Sequence, residues 1–187
     1  MINRKKFIYI NLMMLVILLI SINVLAEDVE VDFVDENLEA LIREELGQET
    51  GGISKGDLLE ITVLETRGRD IKSLEEIKHL ANLEELFLVG NREEIDITPV
   101  SNLTNLQILR IKLIKLTDLS LLLADANFDN LEKLNLISNE ISDISPLADA
   151  NLDNLKELYL GYNEISEDDI DKYREKIGDG NVNIHRY

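Results

Sequence analysis

Cysteine and tryptophan are missing from these 187 residues, and there are only two prolines and two histidines. Without cysteine the chain cannot be a disulfide scaffold, so its stability must come from a packed core. Thiolate catalysis, cysteine-ligated zinc and a lipidated amino-terminal cysteine are excluded with it. His79 and His185 are far apart in the sequence and no nucleophile motif surrounds either, so both read as solvated surface residues. No glycine-rich phosphate loop is present; Gly51-Gly52 and Gly178/Gly180 are turn glycines. Positive charge is also scarce. Nineteen Lys and Arg face 37 Asp and Glu, a formal charge of −18. A field of that sign disfavours nucleic acid and anionic lipid as partners. The carboxylates are too many for any one pair to suggest glycoside hydrolysis. Asp125-x-Asn127-x-Asp129 and Asp149-x-Asn151-x-Asp153 imitate the start of a calcium loop, but Leu136 and Leu160 stand where a bidentate Glu is needed. No residue set implies an enzyme, a metal or a cofactor.

The first 26 residues differ from the rest. Arg4, Lys5 and Lys6 precede a mostly apolar run from Phe7 to Leu25, and Val24 and Ala26 stand at the positions of a signal-peptidase site. Residues 1–26 read as a secretory signal peptide, which makes the protein secreted or a resident of the cell envelope. The alternative is an uncleaved anchor, since residues 7–25 approach the roughly 20 residues that span a bilayer. Cleavage would remove three cations and no acid, taking the charge from −18 to −21.

The remainder is periodic. Leu83, Leu86, Leu88 and Asn91 form a figure that returns at Leu131, Leu134, Leu136, Asn139 and at Leu155, Leu158, Leu160, Asn163. Degenerate copies are Leu106, Leu109, Ile111 with Ile114 in place of Asn, and Ile61, Leu64, Thr66 with Arg69 in place of Asn. Successive units begin 22, 23, 25 and 24 residues apart. Pro99 and Pro146 fall at nearly the same phase, 16 and 15 residues into their units.

In L-x-x-L-x-L the last two leucines are two residues apart and point to one side of a strand. The asparagine can close the strand by satisfying backbone groups in the turn that follows. A second apolar set, such as Ile141, Ile144, Leu147 and Leu152, carries the chain back across the interior. A single unit cannot bury its own leucines; stacked units can, through a continuous parallel sheet. An amphipathic helical array is the rival, but Asn, Gly and Pro at fixed phase interrupt any long helix.

These residues resemble the leucine-rich repeat family in its internalin-like bacterial form. Asn139-Glu140-Ile141-Ser142-Asp143-Ile144-Ser145-Pro146-Leu147 is close to the subfamily pattern N-x-I-S-D-I-S-P-L, and residues 96–106 are close to D-I-x-P-L-x-N-L-T-x-L. The resemblance implies an α/β solenoid whose curved parallel sheet binds a protein on its concave face. We therefore expect a helical amino-terminal cap over 27–60, about five repeats over 61–166 and a helix-strand cap over 167–187. Asp35 or Glu36 should start one helix ending at Gly47. Ser54-x-x-Asp57 should open a second, and Ser166 should cap a third running to Ile177.

Residues flanking the inward leucines should line the concave strip. The candidates are Arg67, Glu85, Phe87, Val89, Ile108, Arg110, Lys112, Lys133, Asn135, Ile137, Tyr159 and Tyr162. Aromatic and arginine side chains are the types that carry interface energy. The expected role is an exported recognition module for a protein partner, or alternatively a glycan. The competing role is a membrane-anchored structural spacer of the bacterial envelope, with membrane contact only if residues 7–25 are retained.

Overall fold

Leu64, Leu86, Leu109, Leu134, Leu158 and Ile184 stand in one row, each paired in parallel register with the next. That row is the spine of a six-stranded parallel sheet in strict chain order. The computed structural model describes residues 29–66, 68–91, 95–124, 126–178 and 182–186; the signal-peptide expectation lies outside them. Among the described residues no helix is long and apolar enough to cross a membrane.

The strands are β1 (Val63–Glu65), β2 (Glu85–Val89), β3 (Ile108–Lys112), β4 (Lys133–Asn135), β5 (Glu157–Tyr159) and β6 (Asn183–His185). In β2 and β3 buried and half-buried residues alternate, as a strand with one face on a core must. Return segments hold a 3-10 turn over Glu75–His79, another over Thr98–Asn102, and short helices α3 (Ser120–Leu123) and α4 (Ser145–Asp149). Their apolar residues Ile97, Val100, Leu119, Leu122, Ile141 and Ile144 close the interior opposite the leucines. Phe128 fills the same interior and is 1% exposed.

Both ends carry helices. α1 (Glu36–Leu46) is capped by Asp35, which accepts from the backbone N–H groups of Asn37 and Leu38, and it ends at Gly47 in the left-handed conformation. The other Asp35 oxygen accepts from Lys72 N–H at 2.7 Å, tying this cap to the first repeat. α2 (Lys55–Leu58) starts with the reciprocal Ser54–Asp57 capping box. α5 (Glu167–Ile177) is capped by Ser166 and packs beside α4. The α/β solenoid expected from the repeat pattern is the fold observed.

The repeat asparagines act differently from the expectation. Asn139 reaches the preceding repeat as well as its own strand. Its amide donates to Ile111 O at 2.7 Å and Leu136 O at 3.0 Å, and its carbonyl accepts from Ile114 and Leu116 N–H. Asn163 donates likewise to Leu136 O and Leu160 O. A second asparagine ladder precedes the strands: Asn82, Asn105, Asn130 and Asn154 donate to Leu59 O, Ala81 O, Thr104 O and Asp129 O. Side chains thus staple each unit to the one before.

The turn after β3 has a second left-handed residue, Lys115 at φ 59°, but the turns after the first five strands all share one left-handed position. Gly68, Gly90, Leu113, Ser138 and Tyr162 fill this position, with φ between 56° and 70°. Glycine adopts this conformation without steric cost, whereas leucine and tyrosine do so against their preference.

Candidate functional site

Because Leu86, Leu88, Leu109, Ile111, Leu134 and Leu158 point inward, the residues between them point outward. The register sets them in columns. The first is Val63, Glu85, Ile108, Lys133, Glu157 and Asn183; the second is Glu65, Phe87, Arg110, Asn135, Tyr159 and His185. Val89 beside Lys112 begins a third. Nine of the twelve expected residues therefore share one face of the sheet: Glu85, Phe87, Val89, Ile108, Arg110, Lys112, Lys133, Asn135 and Tyr159. All nine are half-buried. Ile137 and Tyr162 stand just beyond β4 and β5, and Tyr162 is 77% exposed. Arg67 lies outside the described residues.

Within this face two contacts fix the long side chains. The Arg110 guanidinium sits 4.6 Å from the Phe87 ring centroid, and the Lys133 ammonium 5.7 Å from that of Tyr159. A cation over an aromatic face is held by the ring quadrupole. Arg110, Lys112 and Lys133 form no ion pair among the described residues. Other cations are paired, as in Arg43–Glu39, Lys156–Glu132 and Arg174–Asp171, while Lys55, Lys72 and Lys115 on other surfaces also form no ion pair among the described residues. The Arg110 Nε is buried without a hydrogen-bond partner.

At the carboxyl-terminal end the face closes on a cluster the sequence reading missed. His185 stacks on Tyr159, with centroids 4.2 Å apart and planes 11° apart. Its Nε2 meets Glu157 Oε2 at 2.6 Å; the Tyr159 hydroxyl donates to the same oxygen at 3.0 Å, and Asn183 donates to Glu157 Oε1 at 3.3 Å. His185 is therefore a partnered residue of the outward face and not a solvated one. The signal lay in the alternation of Val182, Ile184 and Arg186, which turns Asn183 and His185 to the opposite side.

Contacts from His185, then Tyr159 and Asn183, hold the Glu157 carboxyl below the usual glutamate range, while the bond to Glu157 pushes the Tyr159 hydroxyl up. A carboxyl whose pKa is lower folded than unfolded stabilises above its unfolded value. That contribution is lost as pH falls through the folded value. Acidification below the ordinary glutamate range should therefore loosen β6 from β5 before the central repeats open. Amide exchange followed against pH checks this, and Glu157→Gln should abolish the acid-dependent step. Equal acid sensitivity of β3 and β6 would contradict it.

Among the described residues no group of three or more His, Cys, Asp or Glu is placed to hold a metal ion. Chemically the face offers aromatic surface, cations without an ion pair among the described residues, and a bordering carboxylate.

The comparisons with known proteins agree with the repeat architecture. A family model described as leucine-rich repeats, two copies, matches residues 129–175. None of the curated proteins matches the chain. Among solved structures the chain is similar to the functional domain of InlJ from Listeria monocytogenes, at 22% identity and TM-score 0.55, over 71% of this chain and 28% of that one. It is also similar to a leucine-rich repeat protein of Leptospira interrogans, at 25% identity and TM-score 0.55, over 68% and 32%. An internalin C2 from Listeria monocytogenes aligns over 83% and 94%, at 24% identity and TM-score 0.39. The chain thus spans about a third or less of the InlJ and Leptospira chains. Six parallel strands in chain order, joined by short helices and 3-10 turns, define a leucine-rich repeat solenoid. The chain has the leucine-rich repeat fold, which it shares with the InlJ domain and the Leptospira protein.

Proposed function

We propose that this protein is an exported recognition module that binds a protein partner through the outward face of its sheet. The observation carrying the reading is the composition of that face. In a chain of charge −18, adjacent strands gather Phe87, Arg110, Lys133 and Tyr159, and Arg110, Lys112 and Lys133 form no ion pair among the described residues. Side chains of these types supply most of the energy at measured interfaces.

Alanine at Phe87, Arg110 and Tyr159 tests the reading. Each change should cost about 1 kcal/mol of stability or less, since the side chains are half-buried and cap no core position. Binding to a partner captured from envelope or culture fluid should weaken by about 1–3 kcal/mol at one or more of them. Asp149→Ala, on the return side, should change neither. If Asp149→Ala weakens binding and the sheet changes do not, the partner sits on the return side and the reading fails.

Export has its own measurement. Protein isolated outside the cytoplasm should begin after Ala26. Protein beginning at Met1 in the membrane fraction would establish the anchored spacer instead.

A further inference from the structure

Two independent features of the β3–β5 half of the sheet narrow the partner's chemistry. The first is charge. Arg110, Lys112 and Lys133 lie on adjacent strands with no ion pair among the described residues, and Arg110 keeps a buried Nε unpartnered. The carboxylate on this side, Glu157, is already engaged by His185, Tyr159 and Asn183. Glu65 and Glu85 lie on β1 and β2. Among the described residues the outward cations of the face therefore gather on β3 and β4.

The second feature is backbone conformation. At the left-handed turn position the first two repeats use glycine, but the repeats of β3 and β5 use Leu113 and Tyr162, at φ 57° and 56°. Both side chains are largely exposed, 57% and 77%, so neither is held there by the core. The turns stack: Leu113 N–H bonds Ser138 O and Ser138 N–H bonds Gly161 O. That places the two large side chains two strands apart, roughly 10 Å. Bulky residues kept in an unfavourable conformation without burial mark a role other than folding.

We propose that the partner presents an acidic protein segment bearing apolar side chains, which lies across β3–β5. Its carboxylates meet Arg110, Lys112 and Lys133, and its apolar groups rest on Leu113 and Tyr162. Charge complementarity selects this occupant: a basic segment would face unpaired cations, and a neutral one would leave them desolvated without compensation. The inference rests on the recognition role proposed for the outward face.

The test is selection of displayed random 16-residue peptides on the immobilised full chain, with affinities of the winners then measured at low and high salt. Enriched peptides should carry net negative charge and apolar residues, and should bind more weakly at high salt. Combined Arg110→Ala, Lys112→Ala and Lys133→Ala should lower their affinity about tenfold or more. Combined Leu113→Gly and Tyr162→Gly should also weaken them several-fold while leaving the melting temperature unchanged or higher, because glycine suits the turn. That pair of results separates a contact role from a structural one.

Enrichment of neutral or basic peptides, of acidic peptides indifferent to the triple change, or of nothing at all overturns the proposal. Peptides that lack charge preference but still lose affinity with Phe87→Ala or Tyr159→Ala overturn it while leaving the recognition reading intact. Peptides indifferent to every change on the sheet overturn both. Salt-sensitive self-association abolished by the triple change would show the occupant to be a second copy of this chain, and the proposed separate partner would fall.

Discussion

Asn139→Ala should destabilise the protein by about 2–4 kcal/mol, because it orphans buried backbone groups that each cost about 1–3 kcal/mol when unpaired. The side chain is 8% exposed and makes four hydrogen bonds. Three of them, to Ile111 O and from Ile114 and Leu116 N–H, belong to the preceding repeat. That repeat has Ile114 where its own asparagine would stand, so Asn139 serves backbone of both units. In a stack whose units touch only their neighbours, the loss should also weaken coupling between the repeats of β3 and β4. Denaturant unfolding should show a lower midpoint and a broader transition. Asn105→Ala, on the exposed ladder with one bond to Ala81 O, should cost about 1 kcal/mol or less. A loss below about 1 kcal/mol at Asn139 would mean that water or a backbone shift replaces its bonds.

Leu136→Ala should cost about 2–5 kcal/mol, the range for truncating a core leucine where the cavity cannot collapse. Leu136 is fully buried in the unit of β4, with repeats stacked on both sides. Its backbone N–H bonds Tyr159 O, so the chain cannot shift into the space without breaking that bond. Leu160, the equivalent residue next to the last strand, is 3% exposed and should lose the same amount or less. Equilibrium unfolding of both variants makes the comparison. A cost below about 1 kcal/mol at Leu136 would mean that its register is wrong, since a slip of one residue turns every side chain of a strand to the other face.

The amino-acid order alone specifies the solenoid. Spacing of leucines two apart defines the inward face of each strand, and recurrence every 22–25 residues makes the strands parallel and sequential. The caps are equally local: Asp35, the Ser54–Asp57 pair and Ser166 each satisfy helix N–H groups within three residues. Nine of the twelve candidate surface residues followed from the same alternation, because facing in or out is decided by parity along a strand.

Contacts between units were decided only by stacking. Asn139 bonds residues 28 and 25 positions earlier, and His185 meets Glu157 28 positions away. Neither distance is a property of one repeat; each depends on how far a neighbour is shifted and which rotamer it leaves free. For the same reason His185 reads as solvated in isolation and becomes a stacking partner once β6 pairs with β5. The left-handed positions at Leu113 and Tyr162 were hidden too, since neither residue type signals positive φ. Periodicity encodes which face a side chain takes, whereas its partners are set by the packing of one turn of the solenoid on the next.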